Sequence, residues 1–225
     1  MKGSRSARRA HDLRRKAESR QPRATVWIIC EGLRTEPNYF QGLLRSLGMN
    51  PELARVVPSQ YGSDPLSVVR YAEDLLKDDP GVDHIWSVFD RDRHSTFDAA
   101  QERFRAKRGR AVHRLRVASS TPCFEFWLLL HLCDATSPFR AADGGSECEE
   151  VQKAIRREIN GYEKSAPDVF EQFRAGLNDA IGRARRLAAD NELTGSRNPA
   201  TTVHELVLDM RALCVASTPT AEPRT

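Results

Sequence analysis

Four short apolar runs, each followed by a segment of helical period, constrain this chain more than any other feature. Residues 24–30 (ATVWIIC) form a continuous apolar stretch of strand length, rich in β-branched side chains. The stretch breaks at Glu31-Gly32. Thr35-Glu36-Pro37 then reads as an N-cap and first helical turn, followed by a stripe of Tyr39, Phe40, Leu43, Leu44 and Leu47. Residues 54–58 make a second strand, and Ser63-Asp64-Pro65 caps a second helix striped by Leu66, Val69, Ala72, Leu75 and Leu76. Residues 84–89 and 111–119 read as further strands, with helices expected over 95–107 and from Thr121-Pro122 through Leu132. Strands alternating with helices predict right-handed βαβ units, and so an α/β fold with a mostly parallel sheet flanked by helices.

The core is expected over residues 24–133, with a polar linker at 134–146. Helical periodicity resumes at 147–161, 167–190 and 201–214, predicting a helical C-terminal extension, and 215–225 reads as a disordered tail.

The net charge of +4 hides an asymmetry. Residues 1–23 carry nine Lys/Arg against Asp12 and Glu18, a balance of +7 that leaves −3 for the rest. A basic arm of this kind either solubilises a frayed terminus or neutralises phosphates of a nucleic acid. The arm has no apolar stretch of the kind a secretory signal needs, and no apolar run approaches membrane-spanning length, so a cytoplasmic protein is expected. Five cysteines without a CxxC pair predict reduced thiols, with Cys30 and Cys123 as small core residues.

In parallel α/β sheets, ligands bind outside the carboxyl ends of the strands. Glu31 follows the first strand, and Asp90 and Asp92 follow the third. Two aspartates two residues apart can share one side of an extended segment, with Arg91 on the other. Such a set is either a pair of solvated turns or a site for a divalent cation, and a cation offsets the cost of bringing carboxylates together. Glu36 is either a carboxylate complementing the helix dipole or a second acid at the metal's edge. Arg34, Arg91 and Arg93 are either solvated or placed to hold phosphate. His94 can serve as a general base or a phosphate ligand. Glu125 stands alone inside the apolar CFEFWLLLHL, near the start of a helix that should begin at the same crevice, and so is expected at the rim of the site. His131 lies on another helix face and is expected to pack in the core. No GxGxxG or Walker A pattern is present.

The segment Glu31-Gly32 followed by Asp90-Arg91-Asp92 resembles the Toprim signature of topoisomerases, primases and related nucleases. More closely, CEGLRTEPNYF (30–40), VFDRDRH (88–94), STPCFEFWLLLH (120–131) and, more weakly, NPATTVHELV (198–207) resemble the RloB-like (AbiLii-type) family of Toprim-related phage-defence proteins. The resemblance implies a Toprim-like core and a nuclease using Mg2+ or Mn2+. Glu31, Asp90 and Asp92 would be metal ligands or catalytic groups, and a partner ATPase would exert control.

Three functions compete. The first is a metal-dependent nuclease on DNA or RNA, possibly tRNA, acting as the toxic effector of an abortive-infection system. The second is a non-catalytic module that docks on an ATPase and nucleic acid. The third is nucleotidyl transfer on the same acids, disfavoured because no template-binding appendage is recognisable.

Overall fold

The computed structural model describes residues 24–92, 94–106, 114–141 and 144–216. The basic arm over 1–23, Arg93 and most of the expected tail lie outside them.

Five strands form one sheet in the order β2-β1-β3-β4-β5. These are β1 (Val26–Cys30), β2 (Ala54–Pro58), β3 (His84–Asp90), β4 (Leu115–Thr121) and β5 (Ala200–Thr201). The first four are parallel and β5 runs antiparallel to β4. The expected α/β fold with a mostly parallel sheet and a helical C-terminal region is the observed one.

Strand side chains alternate between two cores, as the pleat requires. Ile28, Cys30, Trp86 and Val88 face one side, where they meet α1 (Thr35–Ser46) and α4 (Glu125–Leu129). The C-terminal helices α5 (Glu147–Glu158), α6 (Val169–Phe173), α7 (Leu177–Thr194) and α8 (Val203–Ala216) add Val151, Phe170, Ala180 and Leu206 to this same core. Ile29, Ile85 and Phe89 face the other side, against α2 (Pro65–Asp78) and α3 (Phe97–Arg105).

Three local expectations change. The helix expected from Thr121 is the short α4, because Thr121 still belongs to β4 and Ser120 pairs with Thr201. The helix expected over 167–190 is interrupted by a 3-10 turn at Arg174–Gly176. There Gly176 lies so close to the His131 carbonyl that a Cβ would collide with it. Strand β5, two residues long, has no sequence periodicity to betray it.

No helix among the described residues is long and apolar enough to cross a membrane.

Candidate functional site

The parallel strands deliver their carboxyl ends to one edge of the sheet. Cys30 pairs with Val88 and Asp90 with Ser120, so Glu31 and Asp90 emerge side by side. The Glu31 amide donates to the Val88 carbonyl at 2.9 Å, holding the residue between β1 and β3. Each oxygen of its carboxylate then has one contact. Oε2 accepts from the Asp90 amide at 2.8 Å, and Oε1 lies 2.8 Å from His94 Nε2.

Asp90 ends β3 and turns its carboxylate inward. Oδ2 accepts from the Phe124 amide at 2.8 Å, while Oδ1 is buried with no hydrogen-bond partner. Glu36, in the first turn of α1, lies over Gly32 and is buried. A Cβ at position 32 would collide with the Glu36 carboxylate, so the glycine after Glu31 is a steric requirement of its neighbour. Glu125 opens α4 at 2% exposure.

Burial is the main reason Glu31, Glu36 and Asp90 are hard to ionise. It pushes Glu31 up to about 8, partly opposed by the Asp90 amide and reinforced by Glu36, Asp92 and Asp64. Glu36 rises to about 7, again mainly through burial, with Glu125 raising it further and Lys164 drawing it down. Asp90 is raised well above the carboxylate range by burial and by the charges of Glu36, Glu31 and Glu125. Asp90 therefore feels the charges of three other carboxylates, Glu36, Glu31 and Glu125.

Several expected residues fall in unexpected places. Glu125 lies on the floor of the cluster, not its rim, because the first turn of α4 is packed beneath the C-terminal helices. Asp92 does not share a face with Asp90. Strand β3 ends at Asp90, and Asp92 adopts a positive φ of 31° that turns it outward, leaving it exposed. Asp92 lines a cavity of about 490 Å³ together with Arg91, Thr121 and Glu147. Glu36 stands in the first turn of α1, as the helix-dipole expectation has it, and its charge is felt by Glu31 and Asp90. His94 holds Glu31, and His131 is core, 3.1 Å from the Tyr39 hydroxyl. Asp64 caps α2 by accepting from the Ser67 amide.

Two partners of the cluster carried no sequence signal. Lys164, in the loop between α5 and α6, places its ammonium 3.0 Å from Glu125 Oε1. Burial lowers its proton affinity, but Glu125, Glu36 and Asp90 outweigh that and raise it. The second is Cys148 on α5, whose sulfur lies 3.3 Å from Glu125 Oε2 and is bonded to Cys123. The expectation of five free thiols is thus corrected for this pair, which the packing of α5 on α4 brings together across 25 residues. Cys30, Cys133 and Cys214 are free.

The protein's own atoms test whether a divalent cation fits here. Among the described residues, the trio with ligand atoms within 4.8 Å of one another is Cys123, Glu125 and Cys148. Its sulfurs are bonded to each other, so that trio is no cation site. Glu31, Asp90 and Asp92 do not close to that spacing. Even so, the buried, unpartnered Oδ1 of Asp90 and the high proton affinities of Glu31 and Glu36 describe a hard-oxygen site short of positive charge. That donor set suits Mg2+ or Mn2+.

No curated protein and no solved structure matches this chain. A family model described as RloB-like protein matches residues 26–210, a span that runs from the start of β1 through the buried acids and into the first half of α8. The chain belongs to the RloB-like family.

Proposed function

We propose that this protein is a magnesium- or manganese-dependent phosphodiesterase of Toprim type that cuts nucleic acid. The observation that carries the reading is Asp90 Oδ1, a buried carboxylate oxygen without a partner, set among Glu31, Glu36 and Glu125 at the carboxyl ends of parallel strands. Asp90 and Glu31 would hold the cation, while Asp92, turned outward at the mouth, would complete the set only if its segment moved. Bound there, the ion would neutralise phosphate charge and acidify a water.

The remaining roles belong to the chain itself. The Phe124 amide fixes Asp90 through Oδ2 and leaves Oδ1 free to ligate. His94, one-third exposed, connects Glu31 to solvent and is placed to pass a proton outward. Lys164 compensates Glu125, which leaves Asp90 and Glu31 as the acids whose protons a cation would displace. Arg91 stands half-buried at the mouth, where its guanidinium can meet a phosphate oxygen.

The resemblance to phage-defence proteins supports a toxic effector controlled by a partner ATPase. The test is single-turnover cleavage of plasmid, single-stranded DNA and total tRNA, with each metal, with and without an ATPase partner. Metal-dependent products from the wild type that vanish in Asp90→Ala are expected. No product in any combination would reassign the protein as a non-catalytic module, and products that persist in Asp90→Ala would move the active site elsewhere.

A further inference from the structure

A second cavity, of about 250 Å³, shares Arg91 and Thr121 with the one that Asp92 lines. It lies where β5 meets β4, between α3, the end of α7 and the loop that precedes β5. Three arginines line it: Arg91 from the end of β3, Arg105 from the last turn of α3, and Arg197 from the loop. None of the three has a carboxylate partner among the described residues, and Asp98 is the sole acid on the cavity wall. Elsewhere the fold does pair its arginines. Arg103 holds Glu73, Arg116 holds Asp209, and Arg186 holds Asp134. Three unpaired guanidiniums around one small cavity repel one another and invite an anion with several oxygens.

We propose that this cavity is a phosphodiester-binding subsite, which takes a backbone phosphate of the nucleic-acid strand beside the one presented to Asp90. The assignment rests on the nuclease reading for its neighbour, though not for its chemistry. Size selects the ligand. A cavity of about 250 Å³ falls below the roughly 300–1,000 Å³ of sites that bury a whole small molecule, so it suits a phosphate with its sugar better than a free nucleotide. Position selects it as well. Arg91 lines both cavities, so a strand lying across it has one phosphate near Asp92 and another between Arg105 and Arg197. The polar side chains on the wall are already engaged: Gln101 donates to Ser119, Thr201 pairs with Ser120, and Asn191 donates to the Pro199 carbonyl. They offer little for reading bases. Binding here is therefore independent of sequence and positions the strand.

The test is fluorescence anisotropy of a labelled single-stranded oligonucleotide on the full chain, in chelator without metal, over a series of salt concentrations. Arg105→Gln and Arg197→Gln should each bind roughly tenfold more weakly, as expected for a lost charge-assisted contact. Each should also flatten the dependence of log K on log salt by about 0.7 for a single strand. Arg157→Gln, on the exposed face of α5, should change neither by comparison. Arg105→Lys should keep the salt slope while losing part of the affinity. Inorganic phosphate and a nucleoside monophosphate serve as competitors. Displacement by the mononucleotide at far lower concentration than by phosphate would overturn the backbone assignment in favour of a nucleotide site. Unchanged affinity and slope in both Gln variants would overturn the subsite itself, whatever the cleavage assay shows. Loss of binding in those variants beside a wild type that never cuts would sink the nuclease reading and leave the subsite standing.

Discussion

Two buried acids on opposite sides of the sheet are treated in opposite ways. Glu73, on α2, is 5% exposed and meets Arg103 of α3 through two hydrogen bonds, Nε to Oε1 at 2.9 Å and Nη2 to Oε2 at 2.6 Å. Asp90, at the end of β3, has one oxygen bonded to an amide and the other to nothing, with three carboxylates around it. In the first case the fold supplies its own counter-charge, and the result is a brace between helices. In the second the fold assembles negative charge and leaves the counter-charge to come from outside. A structural acid and a functional acid differ here in what surrounds them more than in how deeply they lie.

The sharpest way to break this contrast is to remove each acid in turn and follow activity. Asp90→Ala should lower metal-dependent cleavage by roughly a thousandfold or more, since charge stabilisation and nucleophile activation go together. Isothermal calorimetry should show magnesium affinity lost with it. Glu73→Ala should leave both within a fewfold of wild type.

Stability should rank the two acids the other way. Arg103→Ala removes the two hydrogen bonds that Arg103 donates to the buried Glu73 carboxylate and should cost about 2 kcal/mol in urea denaturation, less than a fully buried pair because the guanidinium is 42% exposed. Asp90→Asn removes a charge that is already poorly placed, so it should be neutral or stabilising. A large loss of stability in Asp90→Asn would show that its charge is compensated within the fold after all.

The pH dependence of stability sharpens the comparison further. Glu31 has a folded-state pKa of about 8 against an ordinary value of 4.5, so between those limits the folded state binds more protons than the unfolded one. Metal-free stability should therefore fall as pH rises through that window, by on the order of a few kcal/mol in all. Glu31→Gln should flatten the fall, and saturating magnesium should oppose it, because a cation takes the place of the protons. Thermal denaturation at pH 5.5 and pH 8.5, with and without magnesium, reads the effect. A profile that rises over this window would contradict the placement of Glu31.

The smallest effect should come from Lys164. Lys164→Met removes the ammonium in contact with Glu125 and should reduce cleavage by roughly tenfold, the lower range for a partner that orients a ligand set. Magnesium affinity should change little or rise slightly, since the cluster becomes more negative. A loss as severe as that of Asp90→Ala would place Lys164 among the reacting groups.

The outline of this arrangement was legible along the chain because strands buried on both faces read as unbroken apolar runs. Residues 24–30 reveal themselves that way, and residues 84–89 do so with Ser87 as an interruption; Glu31 and Asp90 come directly after Ile29-Cys30 and Val88-Phe89, so their meeting at one edge follows from parallel topology. Contacts made across long stretches of chain were not legible. Lys164 is a lysine in a loop until α5 and α6 bring it to Glu125, and Cys148 is one of five cysteines until it meets Cys123. The alternation that predicted a shared face for Asp90 and Asp92 holds only while the strand lasts. A single residue with positive φ ends it. Arg105 and Arg197, 92 positions apart, had nothing in common before the fold placed them on one cavity wall.

Gly32 shows how one contact can write two letters into a sequence. The glycine touches no cation and holds no proton, yet any larger side chain there would dislodge the Glu36 carboxylate from its seat. The pair Glu31-Gly32 is thus half chemistry and half clearance: the first residue brings a charge to the cluster, and the second keeps a vacant place for a charge that arrives four residues later. Gly32→Ala should then act as a mutation of Glu36 in disguise, altering the proton affinity of an acid it does not replace.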